Sequence, residues 1–157
     1  MNLPYNEGTW FSVPLRNGSF TIGVVARTTN EGKVILCYFF GPARPYIPKY
    51  DEIKSLKPSN AICVVRVGDL SLLKGEWPII SHSTSWKRSD WVMPPFVRRD
   101  DLSHKAWRVC YSDINPNLID HEESEPYEST LERDAVLGAG AAELVLTKLL
   151  APKIEMS

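Results

Sequence analysis

The sequence predicts an α+β fold: an antiparallel, strongly bent sheet or partial barrel that starts with a three-stranded meander. A C-terminal helix and short helical turns cover it. Three observations predict this. Asn17-Gly18 lies between the apolar runs "WFSVPL" and "FTIGVV", the pattern of a tight hairpin. The next run, "VILCYFF", is apolar at every position, so its sheet needs cover on both sides. The stretch "AVLGAGAAELVLTKLL" near the end is apolar at helical spacing.

Residues 9–15 and 19–27 pair across Asn17-Gly18, two residues that tolerate the φ > 0 of a type I′ turn. Pro14 has no N–H to donate, which places it at a sheet edge or strand end. "TNEGK" then turns the chain into "VILCYFFG", completing the meander over residues 9–40. Phe20, Ile22 and Val24 fall on one face and Val25 on the other. Residues 42–60 are Pro-rich and then briefly helical, with acids early and Lys57 late, as the helix dipole favours. "AICVVRVG" is the next strand. "DLSLLKGEWP" offers Asp69 as N-cap, one helical turn, and Gly75 as its C-terminal stop.

"WVMPPFVRR" and "KAWRVCYS" read as further strands. The segment 113–134 is polar and acidic, with Asp120, Glu122, Glu123, Glu125, Glu128 and Glu132 against Arg133. Its turn formers and scarce core residues predict a loop or exposed excursion. In the final helix Leu137, Ala141, Leu144, Val145 and Leu149 share one face, with Leu146 and Leu150 on its flank. Only Glu143, Thr147 and Lys148 form a polar stripe, so the helix is expected to be buried against the meander. With no internal repeat and no linker, residues 1–157 read as a single domain whose core spans about 8–150.

Composition excludes several functions. A net charge of −1 over 157 residues argues against a chain built to hold nucleic acid. No apolar run reaches the roughly 20 residues of a spanning helix. The start "MNLPYNEGTW" shows no signal-peptide pattern. The expectation is a soluble, cytoplasmic protein with no membrane partner. Cys37, Cys63 and Cys110 are odd in number and far apart, each inside an apolar strand, so they are expected to be buried free thiols.

Catalytic signals are missing. His82, His104 and His121 lie at no metal-ligand spacing, and no catalytic or phosphate-binding motif occurs. No catalytic residue, metal or cofactor is expected. "SWKRSDWVMPPFVRRDD" mixes Trp86, Trp91 and Phe96 with Lys87, Arg88, Arg98 and Arg99, the ingredients of a nucleic-acid face. Asp90, Asp100 and Asp101 in the same run would repel phosphate. The alternative function is a small barrel-like binding module for nucleic acid or a peptide, with Trp10, Tyr38 or Tyr46 in an aromatic pocket.

"GTWFSVPLRNGSFTIGVV" with "CYFFG", then "LLKGEWPII", "WVMPPF" and "LGAGAAELVLTKLL", occur in that order. The chain thereby resembles the immunity protein 26 family over about residues 8–150. Family members open on Gly-x-[aromatic]-Phe-x-[Val/Ile]-Pro-Leu, carry a Gly-Trp-Pro-type element in mid-chain and close on a Gly-x-Gly-Ala-x-Glu helix. This chain departs twice: Val24 follows the second-strand glycine where many members carry Arg, and Glu76 separates Gly75 from Trp77. The resemblance implies a cytoplasmic antitoxin of a bacterial polymorphic toxin system that binds and neutralises a cognate protein toxin. It leaves the toxin's identity and the oligomeric state open. On that reading the acidic segment, through Asp120, Glu122, Glu123 and Glu125, is expected to meet a basic partner surface. Tyr127 inside it, or Tyr46 and Tyr50 outside it, would supply the aromatic anchor. Without a partner the segment is a solvated acidic loop.

Overall fold

In the computed structural model, which describes residues 2–151, the first three strands form the expected meander. Met1 and residues 152–157, at the ends of the span expected for the domain, lie outside the described residues. Strands β1 (Thr9–Pro14), β2 (Phe20–Arg27) and β3 (Val34–Arg44) pair antiparallel. The first turn is not type I′. Leu15 N donates to Ser19 O, Gly18 N donates to Leu15 O, and Gly18 alone takes positive φ, at 84°. This is a three-residue loop closed by a left-handed glycine, so Asn17 keeps ordinary φ and its side chain accepts from Ser19 N instead.

Strand β4 (Cys63–Gly68) pairs antiparallel with β3, and β5 (Ile79–His82) with β1. Strand β9 (Val136–Leu137) lies parallel to β4, giving a six-stranded sheet of order β5-β1-β2-β3-β4-β9. A second sheet holds β6 (Phe96–Asp100), β7 (Lys105–Ser112) and β8 (Asn115–Glu125). Among the described residues the architecture is α+β with two sheets and no closed barrel. Three helices complete it: α1 (Tyr50–Ile53), α2 (Leu70–Lys74) and α3 (Ala139–Leu149).

The two-faced sheet is covered on both sides. On one face Phe11, Val13, Val25, Ile35, Cys37 and Phe39 pack under Trp77, Leu72, Tyr5, Ala142 and Leu146. On the other, Trp10, Ile22, Val24, Leu36, Tyr38 and Phe40 meet Trp91 and the inner face of the second sheet, Phe96, Val109 and Tyr111. Gly23 is fixed by this packing. A Cβ there would stand 2.7 Å from Phe11 and 2.9 Å from Phe39, the edge-to-face pair beneath Trp77.

Four further expectations need correction. Segment 113–134 is mostly exposed, as expected, but half of it, Asn115–Glu125, is the long strand β8 and not loop. From Asp120 to Glu125 it is polar on both faces, which removes the alternation by which a strand is recognised. Helix α3 covers the sheet, but it buries only Ala142 and Leu146. Leu144 and Leu149 are 46% and 54% exposed, while the polar stripe turns inward: Trp77 Nε1 donates to Glu143 and Arg16 N donates to Thr147, each at 3.0 Å. Trp77, Leu72 and Tyr5 share the cover of that face, so only a narrow strip of the helix is used. Asp69 stands at the N-cap of α2 without capping it. Its carboxylate accepts instead from the Tyr5 hydroxyl at 2.6 Å and from Lys33 N at 3.0 Å, pinning the β2–β3 turn to the N-terminal arm. Cys37 and Cys63 are buried, but Cys110 is half-buried, because it lies on the outer face of β7.

A short stretch joins the sheets. Val97 N donates to Glu132 O and Asp134 N donates to Val97 O, both at 2.8 Å, after which β9 joins β4. At this seam the buried Arg66 donates to Asp134 and Pro116 O, at 3.0 and 3.1 Å, and to the Tyr111 hydroxyl at 2.7 Å. Its guanidinium also lies 3.7 Å from the centre of the Tyr111 ring. Arg66→Ala leaves Asp134 and Tyr111 nearly dry without their cation, so it should destabilise the fold by about 3–5 kcal/mol in urea unfolding.

Burial pushes the Cys63 thiol up to about 12 and the Cys37 thiol well above its ordinary value of 9, while burial and Asp134 raise Tyr111 to about 12. The unfolded chain therefore releases these protons first as pH rises, and the folded state loses stability. The urea midpoint should hold up to about pH 9 and fall from there toward pH 12.

Candidate partner-binding surface

The second sheet carries most of the residues expected to meet a partner. β6 and β7 form a hairpin whose tip is tied by Asp100: its carboxylate accepts from Leu102 N at 3.1 Å and from the Ser103 hydroxyl at 2.9 Å. These bonds, the Ser103 one foremost, hold the Asp100 carboxyl below its usual range. The tie leaves Leu102 fully exposed at the tip. β8 then runs back along β7, with Ala106 opposite Glu125, Arg108 opposite Glu123 and Val109 opposite Glu122.

The carboxylates are less isolated than the local sequence suggests. Arg98 donates to Glu122 and lies 5.2 Å from the Trp107 ring. That hydrogen bond holds the Glu122 carboxyl below its usual range. Arg108 stands 3.9 Å from Glu123, and Asp120 pairs with His121 at 3.2 Å. Glu125 has no ion-pair partner among the described residues. The two acids that bound the segment are structural. Asp134 serves Arg66, and Asp113 binds the buried Arg27 at 3.0 Å as well as Arg88. The Arg88 hydrogen bond foremost holds Asp113 below the usual carboxylate range. The strand register brings Arg98 and Arg108 against these acids, and that register is invisible in a local reading.

Tyr127 follows β8 and joins the same surface. Its ring stacks on His104 at 3.7 Å between centres, its hydroxyl donates to Asp101, and Arg99 donates to its carbonyl at 2.7 Å. Asp101 raises the Tyr127 phenol above its ordinary value. Tyr46 and Tyr50 lie elsewhere. Tyr46 donates to Glu52 of α1 at 3.0 Å, and Tyr50 packs beside the cluster under Trp91. No described hydrogen bond or ion pair joins either of them to β8. Leu102 and Trp107, which sequence reasoning passed over, stand on this surface; an apolar residue between Asp101 and Ser103 was the one signal for Leu102.

Other candidate sites fare differently. Trp10 and Tyr38 are both buried, edge-on to Trp91 at 5.9 and 5.1 Å, and Trp10 borders only a small cleft of about 120 Å³ beside Trp86 and Trp91. A cavity of about 650 Å³ opens beside Tyr5, Asn6, Glu7, Thr28 and Asn30, where Tyr5 is already engaged by Asp69. Among the described residues no group of three His, Cys, Asp or Glu is placed to hold a metal ion, and no helix is long and apolar enough to cross a membrane.

The model of the immunity protein 26 family matches residues 6–108, from ahead of β1 into β7. The chain belongs to the immunity protein 26 family. No curated protein and no solved structure matches it.

Arg99 also donates to Ser129 O, so it holds both ends of the loop after β8. Arg99→Ala should leave the overall fold intact and make residues 126–131 the first site of cleavage in limited proteolysis.

Proposed function

We propose that the chain is one cytoplasmic immunity domain of a bacterial polymorphic toxin system. It binds a cognate protein toxin delivered by neighbouring cells and neutralises it by covering the toxin's working surface. Membership of the immunity protein 26 family carries this reading. On it the protein needs complementarity and no turnover of its own, so no residue is assigned a catalytic role.

The docking surface proposed is the free edge of the second sheet along β8, with Glu122 on one face and Glu123 and Glu125 on the other. Asp120, Glu122, Glu123 and Glu125 supply negative charge that speeds encounter with a basic toxin. Tyr127, held by His104 and Arg99, supplies an anchor whose ordering cost is already met. An interface takes roughly 20–30 residues on each side, so Tyr46 and Tyr50 are kept as a second contact region beside α1.

Coexpression with the protein encoded beside it tests the function: that partner should kill alone and be rescued by this chain. Absence of rescue would sink the reading. Replacing Asp120, Glu122, Glu123 and Glu125 by Asn or Gln should slow association about tenfold at low salt and much less at high salt. An unchanged on-rate with folding intact would remove these residues from the interface.

A further inference from the structure

β8 is the last strand of its sheet, and the ladder shows which of its main-chain groups are free. Val97 directs both its N–H and its C=O to residues 132–134, hence away from β7. Its β7 partner is Arg108. In an antiparallel pair hydrogen-bonded and non-bonded positions alternate, so Arg108 turns its own groups toward β8. There it faces Glu123, and those two residues exchange hydrogen bonds. The same holds for Cys110 with His121 and for Ala106 with Glu125, because the register between them has no bulge. Glu122 and Ser124, the residues in between, therefore direct N–H and C=O outward. Both are exposed, and no described residue takes up those groups.

The free edge is strongly negative. Asn115–Glu125 contains Asp120, Glu122, Glu123 and Glu125 and no Lys or Arg. Arg98 and Arg108 reach Glu122 and Glu123 through Oε1 in each case; Oε2 of both, and all of Glu125, have no described partner. A second β8 cannot pair here, since its four carboxylates would be brought against these four. A strand bearing Lys or Arg would be attracted by the same charges.

We propose that β8 receives a basic strand of the toxin by main-chain pairing along its outer edge, with Glu122 and Ser124 as the pairing residues. This rests on the immunity reading above and adds the mode of docking. An added strand sets its side chains about 4.5–5.5 Å from those of β8. Its cations then lie beside Glu122 on one face and Glu123 and Glu125 on the other. The main chain supplies affinity and the opposed charges supply choice of partner.

Amide exchange on the purified complex with the toxin encoded beside this chain is the direct test. In the free protein His121, Glu123 and Glu125 should exchange slowly, and Glu122 and Ser124 fast. In the complex Glu122 and Ser124 should slow by about a hundredfold or more. Unchanged exchange at both, in a complex that protects cells, would overturn the edge pairing and leave neutralisation standing. Failure of the unmodified chain to bind or rescue would overturn both. Ser124→Pro removes an outward N–H and no bond to β7; it should weaken the complex about tenfold or more, while Ser124→Ala should not. Full affinity in a folded Ser124→Pro protein would also overturn the proposal, and the exchange measurement decides if that variant does not fold.

Discussion

Strands β2 and β3 have no face to give to water. Ile22, Val24 and Ala26 point one way and Val25 the other, and from Ile35 to Phe40 every residue of β3 is buried. The rest of the molecule answers that constraint. One side is closed by Trp77, stacked on Phe11 at 5.6 Å between ring centres, with Leu72 and a strip of α3. The other is closed by a whole second sheet with Trp91 wedged beside it. Each buried aromatic removes a large apolar area from water, which is why short helices and loops suffice as cover.

Joining the two sheets brings charged groups into the interior, and Arg66 and Arg27 find partners far away in sequence. Arg66 on β4 meets Tyr111 of β7, the Pro116 carbonyl of β8 and Asp134. At another edge of the sheets Arg27 of β2 meets Asp113, while Arg88 bridges Asp113 to Glu7. A buried ion pair contributes little net stability against an apolar substitute, yet half of one is strongly unfavourable. These contacts therefore specify how the sheets sit on one another more than they strengthen the fold.

Much of the scaffold was legible in the sequence. The meander, the strand after the Pro-rich stretch and the stop at Gly75 all follow from turn residues and apolar runs, which act locally. The strand expected over 91–99 is shorter than its apolar run: Pro94 and Pro95 have no N–H for a ladder, and β6 starts at Phe96. Two features were not legible, for opposite reasons. β8 is polar on both sides from Asp120 onward, and its pairing is set by β7. α3 is apolar on most sides, yet Glu143 and Thr147 face inward because Trp77 Nε1 and Arg16 N need acceptors there. The acids of β8 could be found as candidates, but their partners Arg98 and Arg108 depend on strand register, which a local pattern does not encode.

The seam between the sheets also orders the folding of the chain. The turns of the meander close over a handful of residues, whereas Arg66 and Asp134 lie 68 residues apart in sequence. Bringing such distant segments together costs about 4 kcal/mol in loop-closure entropy, and nothing offsets that cost until both sheets exist. β9 and Arg66 are therefore expected to lock in late, with a φ-value near zero at Arg66 in folding kinetics. Changes at the seam act mainly on the rate at which the protein comes apart, and changes in β1 to β3 on the rate at which it assembles.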